Sequence, residues 1–274
     1  MASEMSDIMT PIALTSRAVV RVAGDDWRPF LQNLLTNDVE GLAVGQARFT
    51  ALLTPQGRLL YDLFVVAQDD GALLDVEAAW RDALIQRLSL YKLRAKVAIE
   101  ASDLAVSAVF SGPGPGGAAV RDPRLPDLGW RAYGREAEQP EKAYDLHRLA
   151  LGAPGPADWG TDKTYPIEAD FDLLNGIDFQ KGCFIGQETT SRMKRRGQIK
   201  TRMLPITYAG PQLAPGTEIL AGALRAGEVL SGVDGRSIAS LRLDRIEDTE
   251  LTADGRSVVV VRPAWFSAAE APRS

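Results

Sequence analysis

The chain has 274 residues, with 31 Lys and Arg against 36 Asp and Glu, and a formal net charge of −5. Its 45% hydrophobic and 24% charged residues are ordinary values for globular proteins and exclude a disordered chain. No apolar run approaches the roughly 18 residues that cross a bilayer, so we expect no membrane association. The first 17 residues carry two acids and lack basic and apolar regions, so we expect neither a signal nor a transit peptide.

The chain contains one cysteine, Cys183, and one histidine, His147. A single cysteine forms no intrachain disulfide, which predicts a reducing, cytoplasmic location. Two such residues are too few for an ordinary zinc or iron–sulfur site. We therefore expect no metal to be held by this chain alone, and any cluster to be shared with another chain or a small thiol. We expect His147, inside a predicted helix, to be a packed or surface residue.

Predicted strands and two predicted helices are interleaved in the N-terminal hundred residues. The strands are predicted at 12–22, 49–53, 58–66, 72–76 and 97–100, and the helices at 27–35 and 79–91. Thr-Pro-Gln-Gly at 54–57 is typical of a hairpin turn. This order predicts an antiparallel α+β layer and not a doubly wound parallel sheet.

Gly/Pro-rich stretches at 111–117 and 122–129 predict a loop or the start of a second segment. Residues 112–117 match G-x-G-x-x-G, but Pro113 and Pro115 remove N–H donors that a dinucleotide site needs, so we predict a plain loop. A helix is predicted over 141–151. Further on, short strands predict a small all-β module, at 203–208, 218–220, 228–231, 238–243 and 257–262. We therefore predict domains at 1–110, 111–201 and 202–274.

The segment with the most chemical character is K-G-C-F-I-G-Q-E at 181–188. Lys181 and the N–H groups of the helix predicted to follow would favour a thiolate at Cys183. Gln187 and Glu188 add an amide and a carboxylate one turn away. Taken from these residues alone, a functional loop and a buried structural cysteine in a glycine-bounded turn are equally well supported.

These eight residues resemble the signature K-G-C-[FY]-x-G-Q-E of the YgfZ-type folate-binding proteins, relatives of the aminomethyltransferase (T-protein) of the glycine cleavage system. Further similarity lies at 30–32, 36–39, 90–97 and 166–168. The resemblance implies a T-protein-like cloverleaf, in which two α+β segments with ferredoxin-like elements and a C-terminal β-barrel surround a folate channel. It implies Cys183 as the functional thiol. The signature residues carried over are Lys181, Gly182, Cys183, Phe184, Gly186, Gln187 and Glu188.

The implied ligand is tetrahydrofolate or a folate derivative, and its further candidate residues are Glu168, Arg192 and Asp82. Asp82 begins a predicted helix, and we favour a helix-start role for this carboxylate. The T-protein relatives have a folate-contacting carboxylate in an R-L-E-A-G-like stretch, where this chain has Ala150. The missing carboxylate argues against full aminomethyl transfer, so we expect no catalytic turnover.

The resemblance implies a folate-binding accessory protein for the assembly or repair of iron–sulfur proteins, including tRNA-modifying enzymes. The partners are then folate and iron–sulfur client or assembly proteins, and an iron–sulfur cluster is shared transiently. The alternative is a tetrahydrofolate-dependent aminomethyltransferase or other one-carbon transferase.

Six cations fall within the eleven residues 192–202 of an otherwise acidic chain. A solvated helix face and an anion site explain this run equally well. The predicted anion patch consists of Lys194, Arg195 and Arg196, and its ligands would be a folate polyglutamate tail or an acidic partner protein. Direct tRNA contact is a further prediction with thinner support.

Overall fold

The structure, a computed structural model, describes residues 10–270 except 111, 198 and 248. Residues 1–9, part of the stretch considered for a signal peptide, lie outside the described residues. So do residues 271–274 at the end of the predicted barrel domain. The helices are α1 (Trp27–Gln32), α2 (Arg81–Lys92), α3 (Lys142–Ala150), α4 (Pro156–Trp159), α5 (Gln187–Arg196) and α6 (Ala264–Glu270). The strands are β1 (Ile12–Ala13), β2 (Arg17–Ala23), β3 (Ala47–Leu53), β4 (Leu59–Gln68), β5 (Gly71–Glu77), β6 (Ala98–Ser102), β7 (Val106–Val109), β8 (Ala118–Arg121), β9 (Trp130–Tyr133), β10 (Thr201–Tyr208), β11 (Glu218–Ala221), β12 (Leu224–Val233), β13 (Arg236–Arg242), β14 (Leu251–Ala253) and β15 (Arg256–Val260).

The first sheet has five strands in the order β3-β4-β5-β2-β6, and every pair in it is antiparallel, as predicted. Helices α1 and α2 cover one face through buried residues such as Phe30, Leu31 and Leu84. The opposite face packs on the second sheet and on the segment that follows α4. Because both faces are covered, β4 is apolar along most of its length and not alternating.

The single strand predicted over 12–22 is wrong, since a turn divides it into β1 and β2. The Arg17 N–H donates to the Leu14 carbonyl at 3.0 Å, and β1 then pairs with β7 of another sheet. This second sheet has the order β1-β7-β9-β8. Strand β8, of only four residues, lies between the two Gly/Pro-rich stretches and was not predicted. The predicted domain limits stay a prediction, although the second sheet includes β1 and β7, which both precede residue 111.

The C-terminal module is a closed barrel of six strands, β10-β13-β12-β11-β14-β15. Five of them were predicted, and the sixth, β14, has only three residues. Leu204, Ile206, Val229 and Leu241 are fully buried inside the barrel. Within the described part of the chain, no helix is long and apolar enough to cross a membrane.

Helix α1 ends at Gln32 and not at the predicted residue 35, because the chain there turns to the edge of β3. The Thr36 N–H donates to the Ala51 carbonyl at 3.1 Å, and Leu35 forms a bridge with Leu52. Residues 32–37, which we call the edge segment, thereby cover the C-terminal half of the β3 edge. The loop around Cys183 packs on this segment.

Candidate functional site

The signature loop, defined as residues 181–188, places an exposed thiol beside a buried aromatic ring. Cys183 is exposed, whereas Phe184 is 7% exposed and belongs to the same buried cluster as Leu53 and Leu59. The ring therefore anchors the loop while the sulfur faces solvent. The alternative of a buried structural cysteine is wrong for this reason.

Lys181 does not have the predicted role beside the thiol, because its side chain is directed into the protein. Its Nζ donates to the carbonyl oxygens of Gln32 at 2.6 Å, Leu35 at 2.6 Å and Asn37 at 3.0 Å. Burial lowers the pKa of Lys181 to about 8, although the charges of nearby carboxylates, Asp38 first among them, act in the opposite direction. The ammonium group thus fastens the signature loop to the edge segment.

The two glycines of the signature loop differ in their surroundings. Gly186 has a φ of +79°, and a Cβ there would lie 2.7 Å from the Thr54 carbonyl oxygen and 2.8 Å from the Gly57 Cα. These contacts belong to the predicted hairpin turn, which the Gly57 N–H closes on the Thr54 carbonyl at 2.9 Å. Gly182 has no atom within 4 Å of the corresponding position. The backbone therefore requires glycine at 186, while 182 is open to an approaching molecule.

Gln187 and Glu188 begin α5 and line an open surface cavity of about 510 Å³ with Phe179, Ser191, Lys194 and Arg195. Among the described residues, neither side chain has a hydrogen-bond or ion-pair partner. The cavity therefore adjoins the thiol loop and combines one free carboxylate with two cations.

The cationic run is divided and does not form one patch. Arg202 is buried, with its guanidinium 2.6 Å from Asp172 and 3.1 Å from Asp170. Lys194 lies 3.4 Å from Asp172, and Arg192 and Arg195 are exposed on α5. The side chain of Arg196 lies outside the described residues. Arg202 therefore does not belong to an exposed cationic face, and the anion patch of Lys194, Arg195 and Arg196 stays a prediction.

A second cavity, of about 560 Å³, lies where the two sheets and the barrel meet, and we call it the three-way cavity. Its walls come from all three parts of the molecule. The polar and aromatic residues among them include Arg17, Asp62, Phe64, Glu77, Arg124, Arg131, Lys142, Tyr144, Arg148 and Ser231. None of the described residues of the signature loop lines it, so the thiol and this cavity are separate.

A buried charge network forms the floor of the three-way cavity. Asp75 is fully buried and lies 2.6 Å from the Arg17 guanidinium and 2.7 Å from that of Arg131, while Asp62 lies 2.8 Å from Arg17. Burial alone would raise the pKa of Asp75, but Arg131 and Arg17 lower it below its usual range. Sequence reasoning missed these residues. Their only signal was isolated charges inside apolar strands.

The predicted folate candidates do not line the three-way cavity. Asp82 is exposed in the first turn of α2, 3.3 Å from Arg81, which confirms the helix-start role. Glu168 is half-buried and accepts a hydrogen bond from the Tyr165 N–H at 3.2 Å, and burial raises its pKa. Arg192 is exposed on α5.

The lack of a carboxylate at residue 150 does not affect the three-way cavity. Ala150 is exposed at the end of α3 and is not part of the cavity wall. Arg148, two residues earlier, does line the cavity, and it contacts Asp158 at 3.2 Å and Ser231 of the barrel at 3.2 Å. The sequence argument against one-carbon transfer therefore finds no support in this position.

The walls of the three-way cavity fit a folate. The volume lies within the range of small-molecule sites, and Tyr144 offers aromatic surface to a planar ring. Phe64 does not, because it is 1% exposed and the Arg131 guanidinium carbon lies 3.9 Å from its ring centroid. Asp62 and Glu77 are carboxylates on the wall, and burial together with the charge of Asp62 raises the pKa of Glu77. Lys142, exposed at the start of α3, has no carboxylate partner among the described residues and suits an anionic tail.

His147 is a packed residue, as predicted. Its ring stacks on Phe110 with centroids 3.8 Å apart, and its Nε2 lies 2.7 Å from the Asp127 carbonyl oxygen. Over the described residues, no group of three or more His, Cys, Asp or Glu is placed to hold a metal ion.

Comparison with known proteins agrees with this architecture. Residues 200–268 match the family model described as CAF17, C-terminal beta-barrel domain. The aminomethyltransferase T of the glycine cleavage system from Bartonella henselae shares the fold with a TM-score of 0.73, at 17% identity over 96% of this chain and 88% of its own. The T-protein-like α+β fold with its C-terminal barrel is thereby confirmed.

Sequence relatives narrow the family. The iron–sulfur cluster assembly factor IBA57 of Homo sapiens is 33% identical over 78% of this chain and 74% of its own length. The chain belongs to the IBA57 family. The Mus musculus member is 32% identical, and this chain covers 86% of its length. The Neurospora crassa homologue is 31% identical, and this chain covers 65% of its length.

These relatives correct one prediction and leave others as they were. All three are named as mitochondrial proteins, which contradicts the expected cytoplasmic location. The narrower YgfZ-type assignment, folate binding, tRNA contact and tRNA-modifying clients stay predictions.

Proposed function

We propose that this chain is an assembly factor for iron–sulfur proteins and that Cys183 is its working ligand. The observation that carries the proposal is the exposed Cys183 thiol on a loop fixed from below by Phe184 and Lys181. A thiolate is the usual protein ligand of an iron–sulfur cluster. The names of the IBA57 relatives support the same role.

The cluster is cargo shared with a partner protein. One thiol supplies one of the four ligands that a cluster normally takes from protein, so the partner must supply the rest. The exposed position of Cys183 and the open space over Gly182 give a second protein access to the sulfur. An open, incompletely liganded site suits transfer better than storage.

The test of this function is maturation of a purified apo client enzyme by the chain, comparing wild type with Cys183→Ser. We expect the variant to fold with an unchanged circular dichroism spectrum and to lose maturation activity. Lys200→Ala, an exposed change outside the signature loop, is the control and should keep most of the activity. Normal maturation by Cys183→Ser would refute the proposed role of the thiol.

We propose further that a reduced folate binds in the three-way cavity. Tetrahydrofolate supplies one-carbon or reducing chemistry when it is bound. Tyr144 would pack on the planar ring, Asp62 and Glu77 would accept hydrogen bonds from its N–H groups, and Lys142 would attract its glutamate carboxylate. The wall residues, and not the signature loop, carry this part of the proposal.

Calorimetric titration with tetrahydrofolate tests the folate proposal. We expect wild type and Cys183→Ala to bind equally, since the thiol is not on the cavity wall. Lys142→Glu should bind at least fivefold more weakly, because it reverses the charge that faces the carboxylate tail. Lys200→Glu, an exposed reversal outside the cavity, is the control. Absence of binding by wild type would remove folate from the function.

A further inference from the structure

A surface groove with a volume of about 1040 Å³ has no role in the function proposed so far. It runs between the first and second sheets, and each wall contains the edge of a strand. Ala47 and Arg48 of β3 lie on one wall, and residues 119–121 of β8 lie on the other. Both strands are the outermost members of their sheets.

The hydrogen-bond register shows that the free edge of β8 is directed away from β9. The Asp122 N–H donates to the Gly129 carbonyl at 2.9 Å, and the β8–β9 ladder continues this pairing with Val120 opposite Arg131. In an antiparallel ladder, every second residue bonds to the neighbouring strand. Ala119 and Arg121 therefore point their backbone N–H and C=O groups outward.

No described residue satisfies these outward groups, although an edge of this kind is a template for another strand. At the opposite side of the second sheet, β1 is the outermost strand. The C-terminal half of the β3 edge is covered by residues 32–37. The β8 edge is thus left open beside the groove. The small side chain of Ala119 leaves room for a neighbouring backbone.

The groove carries unpaired positive charge. Arg48 and Arg121 lie on opposite walls, and neither has a carboxylate partner among the described residues. Arg121 is exposed and stacks on Trp130, with its guanidinium carbon 4.3 Å from the ring centroid. Two acids line the groove, and one of them, Asp172, is held by the buried Arg202 at 2.6 Å. Asp178 accepts hydrogen bonds from the Gln180 and Lys181 N–H groups.

We propose that the groove binds an extended, acidic segment of a partner protein, which adds a strand to the edge of β8. Main-chain hydrogen bonds to Ala119 and Arg121 would supply affinity, and carboxylates at alternate positions would meet Arg121 and Arg48. This inference rests on the proposed function for the partner's identity, namely the protein that shares the cluster with Cys183.

The groove is close enough to the thiol for such a partner. Residues Asp178, Phe179 and Gln180 form part of its wall. The three peptide units from Gln180 to Cys183 span at most about 11 Å. A segment seated on β8 would thus hold its protein beside the signature loop while leaving the sulfur uncovered.

The test uses defined peptides and fluorescence anisotropy on the full chain. The probe is a fluorescein-labelled nine-residue peptide of alternating valine and glutamate, and its control replaces glutamate with lysine. We expect the acidic peptide alone to bind. Ala119→Pro removes one outward N–H without affecting the β8–β9 ladder and should weaken binding at least tenfold. Arg121→Glu should do the same, whereas Arg192→Glu, outside the groove, should change binding less than twofold.

A second measurement leaves the protein untouched. Peptides methylated on alternate backbone nitrogens, in both registers, should differ at least tenfold in affinity, because only one register faces the β8 edge. Equal binding of both registers, equal binding of acidic and basic peptides, or unchanged binding by Ala119→Pro would overturn the proposal. Tighter binding of oligouridylate than of the acidic peptide would overturn it in favour of a nucleic acid.

Failure of this proposal is distinguishable from failure of the proposed function. Peptide binding needs no cluster and is expected to persist in Cys183→Ala. Loss of maturation in Cys183→Ser together with no peptide binding would refute the groove alone. Peptide binding together with normal maturation by Cys183→Ser would refute the role of the thiol alone.

Discussion

The structural environment of Lys181 could not be predicted from its position in the sequence. It stands two residues before the thiol, but three backbone carbonyl oxygens of the edge segment accept its ammonium protons. Because burial lowers its pKa to about 8, its protonation couples to folding. A pattern of residue types could not distinguish a lysine beside a cysteine from a lysine beneath the loop.

We predict that Lys181 makes stability rise with pH above neutrality. In the unfolded chain its pKa returns to 10.5, so between about pH 8 and 10.5 the unfolded chain binds more protons than the folded one. The free energy of unfolding gained across this window should be absent from Lys181→Met. The variant should also lose about 1–3 kcal/mol because three buried carbonyls lose a donor.

Urea denaturation of both proteins at several pH values from 7 to 10 measures this difference. Subtracting the variant from wild type cancels the contributions of the other titrating groups. Lys200→Met, which removes an exposed lysine, is the control and should change the free energy of unfolding at pH 7 by less than about 0.5 kcal/mol. A wild-type minus Lys181→Met difference that is independent of pH would contradict the assigned pKa.

At the scale of elements, the backbone path of the signature loop depends on how the β3–β4 hairpin turn packs against the start of α5. The turn between β3 and β4 lies against the residue preceding α5, where only a glycine fits. We predict that Gly186→Ala destabilises the protein by about 1–3 kcal/mol, because the new Cβ meets the Thr54 carbonyl and the backbone has a positive φ.

Thermal unfolding of matched variants tests this contact. Gly182→Ala, four residues earlier in the same loop, has open space around its Cβ and should unfold within a degree or two of wild type. Comparable losses of thermal stability at both positions would contradict this explanation, because only Gly186 packs against the hairpin turn.

The hairpin turn and the signature were recognisable because their signals are local. Pro and Gly mark the turn within four residues, and the eight signature residues are contiguous. Strands β8 and β14 were not recognisable, because three or four residues between turns give too little alternation. The break between β1 and β2 was missed for a related reason, since only pairing with another sheet divides that apolar run.

Buried charges join the two sheets at the scale of the whole molecule. Asp75 belongs to β5 of the first sheet, and its partner Arg131 belongs to β9 of the second, 56 residues away. No sequence pattern links such a pair, because each charge acquires its partner only when the sheets pack. For this reason, the three-way cavity could not be predicted from the N-terminal half of the sequence.

We predict that Asp75→Asn costs about 3–5 kcal/mol of stability, because it leaves two buried guanidinium groups without their shared carboxylate. Asp70→Asn is the control, since its pair with Arg21 is exposed and pairs of that kind contribute about 0–1 kcal/mol. Urea denaturation compares the two. A similar loss in both would mean that Asp75 does not couple the sheets.

The fastening of Lys181 has a consequence for the order in which the molecule assembles. The three carbonyl groups that receive its ammonium lie 144 to 149 residues earlier in the chain. A C-terminal fragment containing all eight signature residues therefore lacks the cradle that shapes them, as does the octapeptide grafted into another protein. During synthesis, the edge segment is made well before the signature loop that packs on it.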